Sequence, residues 1–366
     1  MRIEIITVSK LRVLLRENNY WQQPILPITR HRALSYINNP RGNDDDAVLF
    51  CGYEKDTMTG YLGVLPDRIY FDGTSNRIGL LSAWWVHEDH RKSGIGAFLL
   101  IKAFKAYENK LGGVKYNRKS GMVMFRSGKF IELEKNAVPA VEIRLHTHSL
   151  GSERLRKYKT YRAARKPLNM IINGNCALKM RAWVKRNGTG NLQIEYCNRI
   201  DNETENFIKS KQRNSLFRRN APELNWIIQY PWVLQAPGLT SEPSNYFFSS
   251  LANRFFYLAL KIVDGETVVG FLLMKVRNDS LDISYAYYEQ EYEANIIGII
   301  MRHALSLNIS AVKIFGRRIY EAFIRSGAPY VKTTEYIHNI AVAGEFKYID
   351  ERSYEIQGGD GDCVFA

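Results

Sequence analysis

Apolar positions along this 366-residue chain form two kinds of run, short ones that read as strands and longer ones spaced for helices. Ile3 to Val8 reads as a first strand, and Ser9 is placed to cap a helix over Lys10 to Glu17. Pro24 and Pro27 mark a loop. Thr29 is placed to cap a second helix through Ile37, which Pro40 and Gly42 end. Ala47 to Tyr53, Gly60 to Leu65 and Arg77 to Val86 predict three strands, the first two joined by a polar hairpin. A polar loop, His87 to Ser93, leads into Gly94-Ile95-Gly96-Ala97. Leu100, Phe104, Tyr107 and Leu111 then recur at helical spacing. Gly121 to Ser127 predicts a short helix, and Lys129 to Glu134 with Val141 to His146 a closing pair of strands.

The same order recurs further on. Leu192 to Ile200 reads as a strand, Asp201 caps a helix to Lys211, and Ala221 to Gln229 forms another before Pro231. Phe255 to Val263 and Thr267 to Val276 read as a hairpin around Asp264-Gly265. Leu281 to Tyr287 is the next strand and Ala294 to Leu307 a long helix. Ser82 to Gly96 and Ser284 to Gly298 have equal spacing, and Arg-Ser-Gly recurs at Arg126–Gly128 and Arg325–Gly327. The order of elements carries more weight than these short matches. The expected organisation is a first domain over 1–146, a basic connector over 147–190, a second domain over 191–345 and a tail over 346–366.

Length alone makes two domains the default, and a hydrophobic content of 45% supports globular structure throughout. No apolar run is long enough for a membrane span, and the first residues carry no export signal, so a cytoplasmic protein is expected. The four cysteines lie far apart without metal-ligand spacing and read as free thiols; no metal site is expected. The net charge of +14 is unevenly placed. From Arg144 to Gly190 there are twelve Lys and Arg against one acid, Glu153, a net +11. Such a run is a solvated connector or a track for an anionic partner. Tyr158, Tyr161 and Trp183 are interleaved, but no nucleic-acid-binding motif accompanies them.

Chemistry concentrates at LLSAWWVHEDHRKSGIGAFLL, residues 80–100. A strand, a glycine turn and a helix in this order suit anion capture. Small residues let the backbone approach closely, the first helix amides lack internal partners, and the dipole favours negative charge there. Arg91 and Lys92 add charge at the mouth. The glycines are spaced for neither a dinucleotide fingerprint nor a Walker loop. Arg91-Lys92-Ser93-Gly94-Ile95-Gly96-Ala97 after an apolar strand resembles the pyrophosphate motif R/Q-x-x-G-x-G/A of the GNAT superfamily of N-acetyltransferases. The element order resembles that fold as well, in two tandem α/β (α+β) domains, each a mixed, mostly antiparallel sheet flanked by helices. Arg126-Ser127-Gly128-Lys129-Phe130 stands where the family has its x-x-x-Gly-Phe segment.

The resemblance implies transfer of an acetyl group from acetyl-CoA to an amine. The pyrophosphate would lie on Arg91 to Ala97 and the pantetheine arm along the strand at Trp84, Trp85 and Val86. The strand is expected to splay from its neighbour at a bulge, with a backbone N–H of Trp85 or Val86 facing the reacting carbonyl oxygen. By alternation Ser82 and Trp84 share one face, which would point into the pocket. Where many relatives carry an acidic tyrosine this chain has Met124, with Phe125 beside it, so Tyr116 is the substitute candidate. His87 and Glu88 are candidate bases, though their place in the loop equally suits solvent exposure. In the second copy Glu293 stands for Arg91 and Ile296 for Gly94, which disfavours an anion there. The expected acceptor is a small-molecule or glycan amine, an amino sugar or another anionic metabolite. An aminoacyl-tRNA-dependent peptidyltransferase-like enzyme, whose partner would be nucleic acid, and a non-catalytic acyl-CoA-binding protein are the alternatives.

Overall fold

The structure, a computed structural model, describes residues 1–144, 159–238, 245–349 and 353–365. Its first half runs β1 (Arg2–Thr7), α1 (Val8–Leu14), α2 (Arg30–Ile37), β2 (Ala47–Glu54), β3 (Thr57–Phe71), β4 (Thr74–Val86), α3 (Ile95–Ala106), β5 (Leu111–Val114), α4 (Arg118–Arg126) and β6 (Phe130–Glu142). A long helix, α5 (Lys159–Arg186), leads into β7 (Gln193–Tyr196), α6 (Asn202–Lys211) and α7 (Ala221–Gln229). A small parallel pair follows, β8 (Leu234–Gln235) with β9 (Leu251–Ala252). The chain then forms β10 (Phe255–Asp264), β11 (Thr267–Arg277), β12 (Ser280–Tyr288), α8 (Glu293–Ser306), β13 (Ala311–Lys313), α9 (Arg317–Ser326) and β14 (Lys332–Ala343). Thr29 and Asp201 cap their helices as expected, accepting from the amides of Arg32 and Thr204. The first helix is capped two residues early, by Thr7 in place of Ser9.

Both halves are mixed, mostly antiparallel sheets flanked by helices, and they join edge to edge. Among the described residues the main sheet has twelve strands in the order β1-β2-β3-β4-β5-β14-β6-β13-β12-β11-β10-β7. Read from either end, corresponding strands of the two halves follow in the same order, and β14 beside β6 marks the pseudo-twofold centre. Each half's last strand therefore pairs with the other half's fifth: β14 with β5, and β6 with β13. This corrects the expected closing pair of strands. Phe130–Glu142 is one strand, paired antiparallel along its length with β14, which begins some 190 residues later in the chain. Lys135-Asn136 and Pro139 look like a break locally, but the partner strand carries them through the ladder.

The basic stretch also has a definite form from residue 159 on. Cys176, Met180 and Trp183 of α5 recur on one face and are buried, Met180 and Trp183 within the second half's core; Lys179, Arg181, Lys185 and Arg186 are exposed. Arg154, Arg156 and Lys157 lie outside the described residues. No described helix is long and apolar enough to cross a membrane.

A buried four-charge cluster fastens the halves. Arg219, from the loop before α7, grips Asp67 of β3 with both arms, Nη1 to Oδ1 at 2.8 Å and Nη2 to Oδ2 at 2.7 Å. Arg41 reaches the same carboxylate and donates from Nε to Glu223 of α7 at 2.9 Å. Burial alone would raise the Asp67 carboxyl; Arg219, then Arg41, overcome this and hold it at about 2. Since the folded value lies below the unfolded one, its contribution is full above about pH 4 and is lost as pH falls towards 2. Urea midpoints of the unaltered chain should fall steeply across that window, and those of Asp67→Asn should lack this component.

Candidate active site

The site begins where β4 and β5 part. Their parallel ladder runs through Gly79, Leu80 and Leu81 opposite Leu111, Gly112 and Gly113, and stops. Beyond it Lys115, with φ of +50°, donates its amide to Asn339 of β14, so β5 turns away while β4 continues. On the other side of β4, Gly63 faces Ser82 and Tyr61 faces Trp85, so two residues, Ala83 and Trp84, stand opposite Leu62. This is a bulge, and Ala83 bears its strain with φ of +50°. The expected splay at a bulge is thus present.

Past the bulge, alternation assigns the amides. His87 N donates to Thr59 O at 2.9 Å, and Tyr61 and Trp85 are the next hydrogen-bonding pair. The Trp85 amide consequently faces β3, while those of Trp84 and Val86 face the gap. The Trp85 amide is therefore taken up by β3, and the amides open to the gap are those of Val86 and Trp84. The Trp85 ring lies instead between Tyr61, at 5.3 Å, and Phe247, at 4.4 Å and nearly parallel.

At the glycine turn, Gly94 caps α3 with φ of +82°, a left-handed conformation suited to glycine. The first internal helix bond is Phe98 N to Gly94 O, so the amides of Ile95, Gly96 and Ala97 precede it; Ser93 Oγ accepts that of Ile95. A Cβ at Gly96 would meet Val86 at 3.4 Å and the Trp84 ring at 3.7 Å, so the turn packs directly on the end of β4. Arg91, Lys92 and Ser93 are exposed around it.

A cavity of about 290 Å³ opens behind the splay. Leu81, Ser82, Ala83 and Trp84 line it in succession, because the bulge at Ala83 breaks the alternation expected of a strand, with Lys115 and Tyr116 from the β5 end and Met124 from α4. The second half contributes Trp232, Phe248, Asp362 and Cys363. Arg32 of α2 lies buried at its wall, its guanidinium 3.7 Å from the Trp232 ring centre and donating to Tyr246 Oη, Tyr36 Oη and, at 2.6 Å, Ser82 Oγ. Tyr116 donates to Glu132 at 2.6 Å; burial, then this bond, raises its phenol, which weakens it as an acid. His87 and Glu88 lie outside the cavity lining, and Glu88 is exposed.

Arg32 and Asp362 were not singled out by the sequence. Arg32 resembles any helix cation, and the sole hint at Asp362 was the apolar Val364-Phe365 after a glycine- and aspartate-rich stretch.

The second half repeats the splay, with a different outcome. Its parallel ladder stops at Asp282 opposite Lys313, and the bulge falls at Ser284. There the chain's own closing segment fills the gap: Gly359 N donates to Ser284 O and Gln357 Oε1 accepts from Ala286 N, both at 2.8 Å. Glu293, at the position of Arg91, pairs with Arg325 at 2.7 Å, and Ile296 is buried in the core.

A splayed sheet with a glycine turn at its mouth is the arrangement that the resemblance to acyltransferases implied. Residues 12–118 match the Acetyltransferase (GNAT) family, so the first half carries a GNAT-like acyltransferase domain. The whole fold is similar to a GCN5-related N-acetyltransferase from Anabaena variabilis (TM-score 0.51, 10% identity, covering 93% of this chain and 72% of that one). It is similar to a GCN5-related N-acetyltransferase from Kribbella flavida (TM-score 0.52, 9% identity, 93% and 71% covered). The Saccharomyces cerevisiae N-myristoyltransferase with bound myristoyl-CoA gives a TM-score of 0.51 at 9% identity, with 93% and 82% covered. No curated protein sequence matches the chain.

Proposed function

We propose that the chain transfers an acetyl group from acetyl-CoA to a primary amine held in the cavity between the halves. The observation that carries this reading is the gap beyond Leu81, with the open amides of Trp84 and Val86 on one side and the Gly94–Ala97 turn at its mouth. Acetyl-CoA supplies an activated thioester whose carbonyl carbon accepts the amine. Gly96 and Ala97 offer amides to its pyrophosphate, and Arg91 and Lys92 add charge. Trp84 or Val86 directs an amide at the carbonyl oxygen, where negative charge grows as the amine attacks. A cavity of about 290 Å³ lies at the small end of small-molecule sites, which run to about 1,000 Å³, and favours a short acyl group. Trp232 and Phe248 give the second half a part in acceptor recognition. The buried Arg32 and the nearby Lys115 favour an acceptor that carries an anionic group as well as its amine.

One acetyl-CoA should bind per chain by calorimetry, because the second gap is filled by Gln357 to Gly359 and flanked by Glu293. Two equivalent sites, or none, would refute this. Arg91→Ala should weaken binding by about 1–3 kcal/mol. Gly94→Asp should weaken it further, through backbone strain at positive φ and a carboxylate beside the pyrophosphate. Turnover is tested by thiol release from acetyl-CoA with a panel of amino sugars, amino acids and polyamines.

A further inference from the structure

Resting on that acyl-transfer reading, we propose that Asp362 is the proton acceptor of the reaction, brought into the first half's cavity by the chain's closing segment. An amine arrives mostly as ammonium and must lose a proton before its lone pair can attack. The turn before α3 offers no group inside the cavity, and among the described residues lining the cavity Asp362 is the one carboxylate.

Its surroundings suit the task. Ser82 Oγ donates to Asp362 Oδ2 while accepting from Arg32 Nη2, so a buried guanidinium orients the hydroxyl that orients the carboxylate. Ser82 engages Oδ2 and not Oδ1, which is the oxygen assigned to take the proton. Arg32 and Tyr36 face the carboxylate from α2, Ser82 from β4 and Lys115 from the end of β5, with Cys363 next in the chain. Burial raises the Asp362 carboxyl; the Ser82 bond and the charges of Arg32 and Lys115 act against it without overcoming it. The result is a carboxylate more basic than usual, closer to a working pH and better at holding an ammonium proton.

The neighbours of Asp362 are fastened by the second half. Lys275 Nζ donates to Cys363 O at 2.8 Å, Tyr257 Oη donates to Val364 O at 2.9 Å, and Phe365 stacks on Trp232 at 4.4 Å. The carboxylate is thus placed by a rigid clamp and is not a group on a free tail. Cys363, 3.5 Å from His338 Nε2, is no rival nucleophile. Burial pushes its thiol up to about 11 and holds His338 down at about 3, so neither the thiolate nor an imidazolium partner forms near neutral pH.

The protons balance as follows. Asp362 Oδ1 takes one from the ammonium and passes it to solvent. The nitrogen lone pair forms the C–N bond, the C–S bond breaks, and the second nitrogen proton ends on the departing sulfur, giving an amide and CoA thiol.

Asp362→Asn keeps an oxygen for Ser82 and removes the basic one. With the full chain, acetyl-CoA and the amine panel, transfer should fall about 10²- to 10³-fold, and the acid limb of kcat/KM against pH should disappear. Acetyl-CoA binding by calorimetry should stay within about threefold, and Asp362→Glu should restore part of the rate and the acid limb. Hydrolysis of acetyl-CoA, with water as acceptor, gives the same readout where no amine of the panel reacts. Asp362→Asn with near-normal turnover or an intact acid limb overturns the inference. So does parallel loss of binding and transfer in both variants, which would mark a structural role. An unaltered chain that binds no acetyl-CoA overturns the acyl-transfer reading and this inference with it, whereas binding with an indifferent Asp362→Asn overturns this inference alone.

Discussion

Asp67→Ala is expected to destabilise the chain by about 3–5 kcal/mol, because it takes the carboxylate from the buried Arg219 guanidinium and one of two from Arg41. Asp67, Arg219 and Arg41 are each less than a tenth exposed, and Arg219 and Arg41 both converge on this one carboxylate. Removing it leaves Arg219 hydrogen-bonded to Tyr285 Oη and the carbonyl of Gly361, neither of which carries charge, with Asp360 as the remaining acidic neighbour. Arg41 keeps Glu223, so the damage should centre on Arg219. A loss of this size lowers Tm by on the order of 10 °C in a chain of this length. The double variant Asp67→Leu with Arg219→Met should recover much of the loss, since burying no charge is often no worse than burying a pair. A single variant that unfolds at the unaltered temperature would show that the cluster holds the halves together only weakly.

The parts of this molecule legible in its sequence are those whose causes are local. Ile95 to Ala106 shows its helical stripe, Thr29 and Asp201 announce their caps, and Gly94 marks a turn that needs positive φ. The repeat could be read as well, since both halves space their strand, turn and helix alike. The exchange of β6 and β14 could not, because nothing near Lys135-Asn136 tells that a partner lies some 190 residues away. Once that exchange was missed, the site was half hidden. Ser82 and Trp84 lie on a strand the sequence made evident, but their neighbours Trp232 and Asp362 reach them only through the shared sheet and the closing segment. The direction of the Trp85 amide was equally out of reach, because it depends on a one-residue bulge at Ala83 and Trp84. Tyr116 illustrates the remaining difficulty: its position beside the cavity was a fair expectation, yet its hydroxyl is committed to Glu132.

Phe365→Ala should be the most damaging small change in the closing segment, costing about 3–5 kcal/mol of the segment's attachment. The ring is 1% exposed, lies 4.4 Å from Trp232 and nearly parallel to it, and meets Trp226 edge-on at 4.8 Å. Those two indoles are themselves tied to Ser35 of α2, Trp226 through its carbonyl and Trp232 through its hydroxyl, so Phe365 packs where the second half touches the first. Its loss opens a cavity that rigid neighbours cannot close, while Phe365→Leu keeps most of the volume and should cost less than about 1.5 kcal/mol. Two results are expected together. Tryptophan emission should shift to the red as Trp226 and Trp232 meet water, and transfer activity should fall as Asp362 leaves Ser82. The helix after the Gly94 turn packs in a separate apolar cluster that does not include Phe365, so acetyl-CoA binding at that turn should persist. Unchanged emission and full activity in Phe365→Ala would mean that Lys275 and Tyr257 hold the segment without the aromatic anchor.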